Sequence, residues 1–157
     1  MQVTLAWYEV VMASEIGRCR QLAAMKKSLE DKHGFSGDGW SEHIEGACGE
    51  MAVAKFLGTY WDGSINTFKN PDLPGIQVRT RSKDSYDLIV RPGDSDSDRF
   101  VLVTGRCPVY QIRGWILGLD AKKPEHLKEY GGRPQAYFVP ASALAPAVSM
   151  RPQSASA

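Results

Sequence analysis

A single carboxylate, Glu50, sits in the middle of an otherwise apolar helix face, and it restricts how the chain can pack. The stretch from Gly46 to Gly58 reads GACGEMAVAKFLG. At about 100° per residue, Ile44, Ala47, Met51, Val53, Ala54 and Leu57 share one arc, and Glu50 projects into the middle of it. Burying an unpaired ion costs several kcal/mol, so a buried Glu is paired, protonated or bound to a metal. An Arg partner and a cation are the two ways of keeping it ionised.

Asp72 follows in Pro71-Asp72, ahead of the turn signal Pro74-Gly75 and the run Ile76-Gln77-Val78-Arg79-Thr80-Arg81. Strict alternation predicts a strand, with Ile76, Val78 and Thr80 on one face and Gln77, Arg79 and Arg81 on the other. Hard divalent cations such as Mg²⁺ take oxygen ligands, commonly one or two carboxylates plus waters and substrate phosphates. Glu50, Asp72 and the amide oxygen of Gln77 are a candidate set, and their oxygens are expected to converge.

The order of a helical Glu in Gly49-Glu50, then Pro71-Asp72, then a strand carrying Gln77-Val78-Arg79, resembles the PD-(D/E)XK nuclease superfamily. It is also similar to small phage proteins of that type. The similarity runs from Ser41 to Val139. It implies a restriction-endonuclease-like fold and a phosphodiesterase that uses Mg²⁺ or Mn²⁺ on DNA rather than RNA. Glu50, Asp72, Gln77 and Arg79 would be its catalytic residues, and Glu50, Asp72 and Gln77 its metal ligands.

Two positions depart from the family, which has Glu or Asp followed two residues later by Lys, where this chain has Gln77 and Arg79. Gln77 keeps an oxygen ligand and loses a charge. Arg79 stays ionised, so it can hold a phosphate but cannot take a proton from water. A metal-bound hydroxide would have to serve as the base. The same changes favour an anion in the cleft. A second expectation is therefore an inactive nuclease-fold protein that binds nucleic acid or a host protein, for example as a phage inhibitor of host defence. The candidate nucleic-acid contacts are Arg79, Arg81, Lys83 and His43, the last two turns before Glu50 on nearly the same stripe.

A chain of 157 residues is one domain by size, and a formal net charge of +1 gives no global attraction to nucleic acid. Any such binding must come from a local patch. Cys19, Cys48 and Cys107 are odd in number and form no C-x-x-C pair. A reducing cytoplasm is expected, that of the host cell if the protein is phage-encoded, with Cys48 in the core. No apolar run approaches the roughly 18 residues of a membrane span, and the N-terminus has no basic n-region.

The expected fold class is α/β, one domain over residues 1–144 with a mixed central sheet of five or six strands flanked by helices. A long N-terminal helix runs from Leu5 to Lys32, capped by Thr4, with Leu5, Val11, Ile16, Cys19, Leu22, Ala23, Met25 and Leu29 as its apolar stripe. His33 to Gly39 is a Gly-rich connector without phosphate-cradle spacing. Ser41 caps the Glu50 helix and Gly58 ends it, while Glu45, projecting opposite Glu50, is expected at the surface. Tyr60 to Gly63 reads as a short strand and hairpin. An antiparallel meander through Tyr86–Arg91, Arg99–Thr104 and Val109–Leu119 continues the sheet, with Asp94 to Asp98 as a polar hairpin tip. Pro124–Tyr130 reads as a short helix and Gln135–Val139 as the last strand, before a helical turn from Pro140. The tail 145–157, rich in Ala, Ser and Pro, is expected to be disordered.

Overall fold

In chain order the computed structural model, which describes residues 1–26, 38–65 and 70–151, begins with β1 (Gln2–Thr4), α1 (Trp7–Lys26) and α2 (Gly39–Leu57). It continues with β2 (Ile76–Arg81), β3 (Leu88–Val90), β4 (Arg99–Arg106), β5 (Val109–Leu117), α3 (Gly118–Ala121), β6 (Leu127–Lys128) and β7 (Ala136–Val139). Single 3₁₀ turns lie at Pro124–His126, Ala141–Ala143 and Ala147–Met150. Of the expected N-terminal helix, residues 27–32 lie outside the described residues, as does the connector up to residue 37.

The run Phe100-Val101-Leu102-Val103 of β4 is fully buried, and such an unbroken apolar run marks a strand covered on both faces. Its alternate side chains supply two cores. Val101 and Val103 join Ile76, Val78, Ile112 and the inner faces of α1 and α2, whereas Phe100 and Leu102 join Leu88, Val90, Ala121 and Val139. The main sheet has the order β1-β5-β4-β2, with β2 parallel to β4 and the other pairs antiparallel. β3, β7 and β6 form a second, antiparallel sheet against its other face. The molecule is thus mixed α/β.

The expected meander holds only for the β4–β5 hairpin. β3 leaves for the second sheet because Leu88 and Val90 cover Phe100 and Leu102, so the Asp94–Asp98 segment joins two sheets instead of turning a hairpin. Thr4 ends β1, and α1 starts at Trp7, where the Glu9 carboxylate accepts the Ala6 N–H at 2.6 Å. The cap of α2 is Asp38, which accepts from Trp40 N at 3.0 Å and from the Ser41 hydroxyl at 2.7 Å. Gly58 ends the helix in the left-handed conformation, φ 67°. Tyr60–Gly63 forms no strand, and only the first part of Pro124–Tyr130 is helical.

The inner face of α1 also differs from the expected stripe. Glu9, Ala13 and Gly17 are buried, whereas Val11, Leu22 and Met25 face outward. Small residues at 13 and 17 let α1 approach α2 closely, and that approach selects the buried face over bulk apolarity. The tail is packed as far as Arg151: Ala145 bridges to Trp115, Ala147 and Met150 are buried, and the Arg151 Nε donates to Phe56 O at 3.1 Å. Residues 152–157 lie outside the described residues. No helix among the described residues is long and apolar enough to cross a membrane.

Candidate functional site

Glu50 is buried in the middle of α2, and its charge is met by two other elements. From α1, Arg20 makes a two-point ion pair, Nη1 to Oε1 at 2.6 Å and Nη2 to Oε2 at 2.9 Å. The Trp61 indole N–H donates to Oε2 at 3.0 Å. Such a fork matches carboxylate geometry and is among the stronger hydrogen-bonded arrangements. Arg20 is fixed in turn by its Nε, which donates to Ser64 O at 2.9 Å. Both Glu50 oxygens are therefore used by protein donors.

Asp72 lies at the edge of the main sheet, on the side of β2 away from β4, where no further strand pairs with β2 among the described residues. The segment before β2 folds back along that edge: Leu73 and Ile76 bridge, and the Asp72 Oδ2 accepts the Val78 N–H at 2.7 Å. An unpaired edge donor is thereby satisfied. Burial, and then the charge of Glu50, push the Asp72 carboxyl up to about 6 from an ordinary 3.8, against the opposing pull of the Val78 N–H, Arg79 and Arg20. The two carboxylates are thus within electrostatic reach of each other. Because the folded state holds this proton more tightly than the unfolded chain, the contribution to stability is complete below about 3.8 and is lost as pH rises through about 6. Asp72→Asn, which can still accept from Val78, should gain on wild type by roughly 3 kcal/mol across that window. Urea denaturation of both proteins over a pH series checks this; a difference that stays flat with pH contradicts it.

Gln77 and Arg79 stand on the opposite face of the sheet from α2. Their β4 neighbours, Phe100 and Leu102, belong to the second core, whereas Ile76 and Val78 pack toward α1 and α2. The Gln77 amide nitrogen donates to Asp98 Oδ2 at 3.2 Å. Arg79 lies over the Phe100 ring, 5.2 Å from its centroid, and bonds Asp94 Oδ2 at 3.1 Å through Nη2. The acidic segment 94–98 thus neutralises the strand face expected to be positive, and Lys122 pairs with Asp96 at 2.6 Å. The structure brings Glu50 and Asp72 within electrostatic reach of each other, whereas the Gln77 oxygen, on the sheet face away from α2 and Glu50, accepts from Arg79 Nη1 at 3.4 Å.

The remaining cations divide. His43 lies beside Arg20 on α2, and burial followed by the Arg20 charge lowers its affinity for a proton. Arg81 and Lys83, at the end of β2, both lie over the Tyr86 ring, at 4.8 and 5.6 Å from its centroid. Neither makes an ion pair with a carboxylate among the described residues. Burial, and among charges that of Arg91, hold the Arg81 guanidinium below its ordinary value, although Tyr86 and Asp87 favour its charge. Glu45 is not a free surface residue: it accepts from Tyr110 Oη at 2.6 Å and Cys107 N at 3.1 Å, tying α2 to the β4–β5 turn.

The Mg²⁺ set of Glu50, Asp72 and Gln77 does not fit this arrangement. Both Glu50 oxygens already accept from Arg20 and Trp61, one Asp72 oxygen accepts a backbone N–H, and the Gln77 side chain is engaged by Asp98 and Arg79 on the sheet face away from α2. Among the described residues no three His, Cys, Asp or Glu side chains form a metal-binding group. Compared with known proteins, the chain matches no family model, no curated protein and no solved structure. The partners that matter most were not singled out from the sequence. Arg20 carries the one available signal: with Ala13 and Gly17 it follows the spacing of a buried helix stripe.

Proposed function

We propose that this chain is a non-catalytic nucleic-acid-binding protein, holding phosphates at Arg81 and Lys83, on a fold related to the restriction-endonuclease-like core. The observation that carries the reading is the pair of cations over Tyr86, neither of them bonded to a carboxylate among the described residues. Resting on one ring reduces the freedom each long side chain loses on meeting an anion. A phosphate there would also relieve the repulsion between Arg81 and Arg91. Arg79 takes no part, because Asp94 holds it. The parallel β2–β4 pair and α2 against the sheet are compatible with the fold relationship, and the Glu50–Arg20 pair supports binding over catalysis.

Binding of a labelled DNA duplex should fall with salt, and the Arg81→Ala/Lys83→Ala pair should reduce the log–log salt slope by about 2, one per lost phosphate contact. Arg79→Ala should leave the slope unchanged. No binding of DNA or RNA at low salt overturns the proposal. Cleavage in Mg²⁺ or Mn²⁺ that is lost in Asp72→Ala would instead restore a metal nuclease.

A further inference from the structure

The outward face of α1 is not covered by any of the described residues. Trp7, Tyr8, Val11, Met12, Leu22 and Met25 are all exposed there, Trp7 by 79% and Tyr8 by 66%. Exposed apolar area on this scale marks an interaction surface. Beside it, Trp40 and Ile44 of α2 form the far wall of a groove that runs along α1 past Trp7 and Val11.

Positions 8, 11, 15, 18, 22 and 25 along this face are spaced alternately three and four residues apart, the seam of an antiparallel or parallel helix pair. The seam is apolar at both ends and charged at its centre, where Glu15 and Arg18 already bond each other at 2.6 Å. Turning a second copy by a two-fold axis between residues 16 and 17 sets each position against its complement. Glu15 meets Arg18 of the second copy and Arg18 meets Glu15. Val11 meets Leu22, and Tyr8 meets Met25. At the rim, Trp7 meets Lys26, a cation–aromatic pair. A two-fold interface requires this kind of self-complementarity, and the central acid–base order supplies it only when the helices run antiparallel.

We propose that this face of α1 is a self-association surface, occupied by the α1 of a second copy in antiparallel register. Sedimentation of the full chain over a dilution series tests it. Wild type should reach twice the chain mass. Glu15→Arg and Arg18→Glu each place four like charges at the centre, so each alone should sediment as a monomer. An equimolar mixture of the two restores opposite charges and should return to the dimer mass. Both changes lie on exposed side chains, and circular dichroism confirms that each variant is folded. A wild type that stays monomeric at all concentrations overturns the proposal. So does either variant that dimerises alone, which would put the interface elsewhere, or a mixture that stays monomeric.

Discussion

Arg20→Ala is expected to destabilise the protein by about 3 to 5 kcal/mol, the cost of leaving one member of a buried ion pair without its partner. The change removes both fork bonds to Glu50 and leaves the Trp61 indole as its sole remaining donor among the described residues. It also removes a positive charge that now restrains the proton affinity of Asp72. With Glu50 and Asp72 within electrostatic reach and only Arg79 left to offset the charge on Asp72, proton uptake by the pair is favoured. The variant should therefore lose less stability in mild acid than at neutral pH. Adding Glu50→Gln in the same chain removes the buried charge, and most of the lost stability should return. Denaturant unfolding of the single and double variants measures both effects. A cost below about 1 kcal/mol for Arg20→Ala would mean that the pair behaves like a surface salt bridge.

That pairing was one of two outcomes open in the sequence, and the alternation of β2 bears on which one occurs. A strand with Ile76, Val78 and Thr80 on one face turns that face toward the apolar side of α2. Glu50 lies on that side of α2, so Gln77 and Arg79 must face away from it. The conflict between a helix carboxylate and an amide on the opposite strand face was legible before any coordinates. What was not legible was the partner. Arg20 is 30 residues from Glu50 in the chain; its spacing with Ala13 and Gly17 sets it apart from Arg18, which pairs with Glu15 at the surface, but does not name the carboxylate it meets.

Local signals otherwise placed elements well and assemblies poorly. The turn at Pro74-Gly75, the strand after it and the Gly58 helix end all follow from residues within a few positions of each other. The departure of β3 to a second sheet does not, because it is decided by which strand covers Phe100 and Leu102. Composition also misdescribes the C-terminal segment. Ala147 and Met150 are small or flexible enough to fill the gap beside β5, so a stretch rich in Ala, Ser and Pro is packed as far as Arg151.

Two helical glycines should respond in opposite directions to the same substitution. At Gly17 a Cβ would stand 2.5 Å from Ile44 Cα, 2.7 Å from His43 O and 2.8 Å from Ile44 N, all backbone atoms of α2. None of these can rotate away, so α1 and α2 must separate. Overpacking of this kind costs about 1 to 3 kcal/mol and at times more. The gain in helix propensity from Gly to Ala offsets at most about 1 kcal/mol of it. Gly17→Ala should therefore be clearly destabilising, and Gly17→Leu should cost about 3 kcal/mol or more. At Gly46, in α2, a Cβ meets nothing within 4 Å, so Gly46→Ala should stabilise by up to about 1 kcal/mol through propensity alone. Separation of the helices also draws Arg20, less than one turn beyond Gly17, away from Glu50. The cost of Gly17→Ala should accordingly shrink in an Arg20→Ala background, because the ion pair that it strains is already gone. Denaturant unfolding of the two single variants and the double variant reads this coupling directly. Strict additivity would mean that the helix crossing and the Glu50 pair are independent, and that Arg20 has enough reach to follow Glu50 wherever α1 moves.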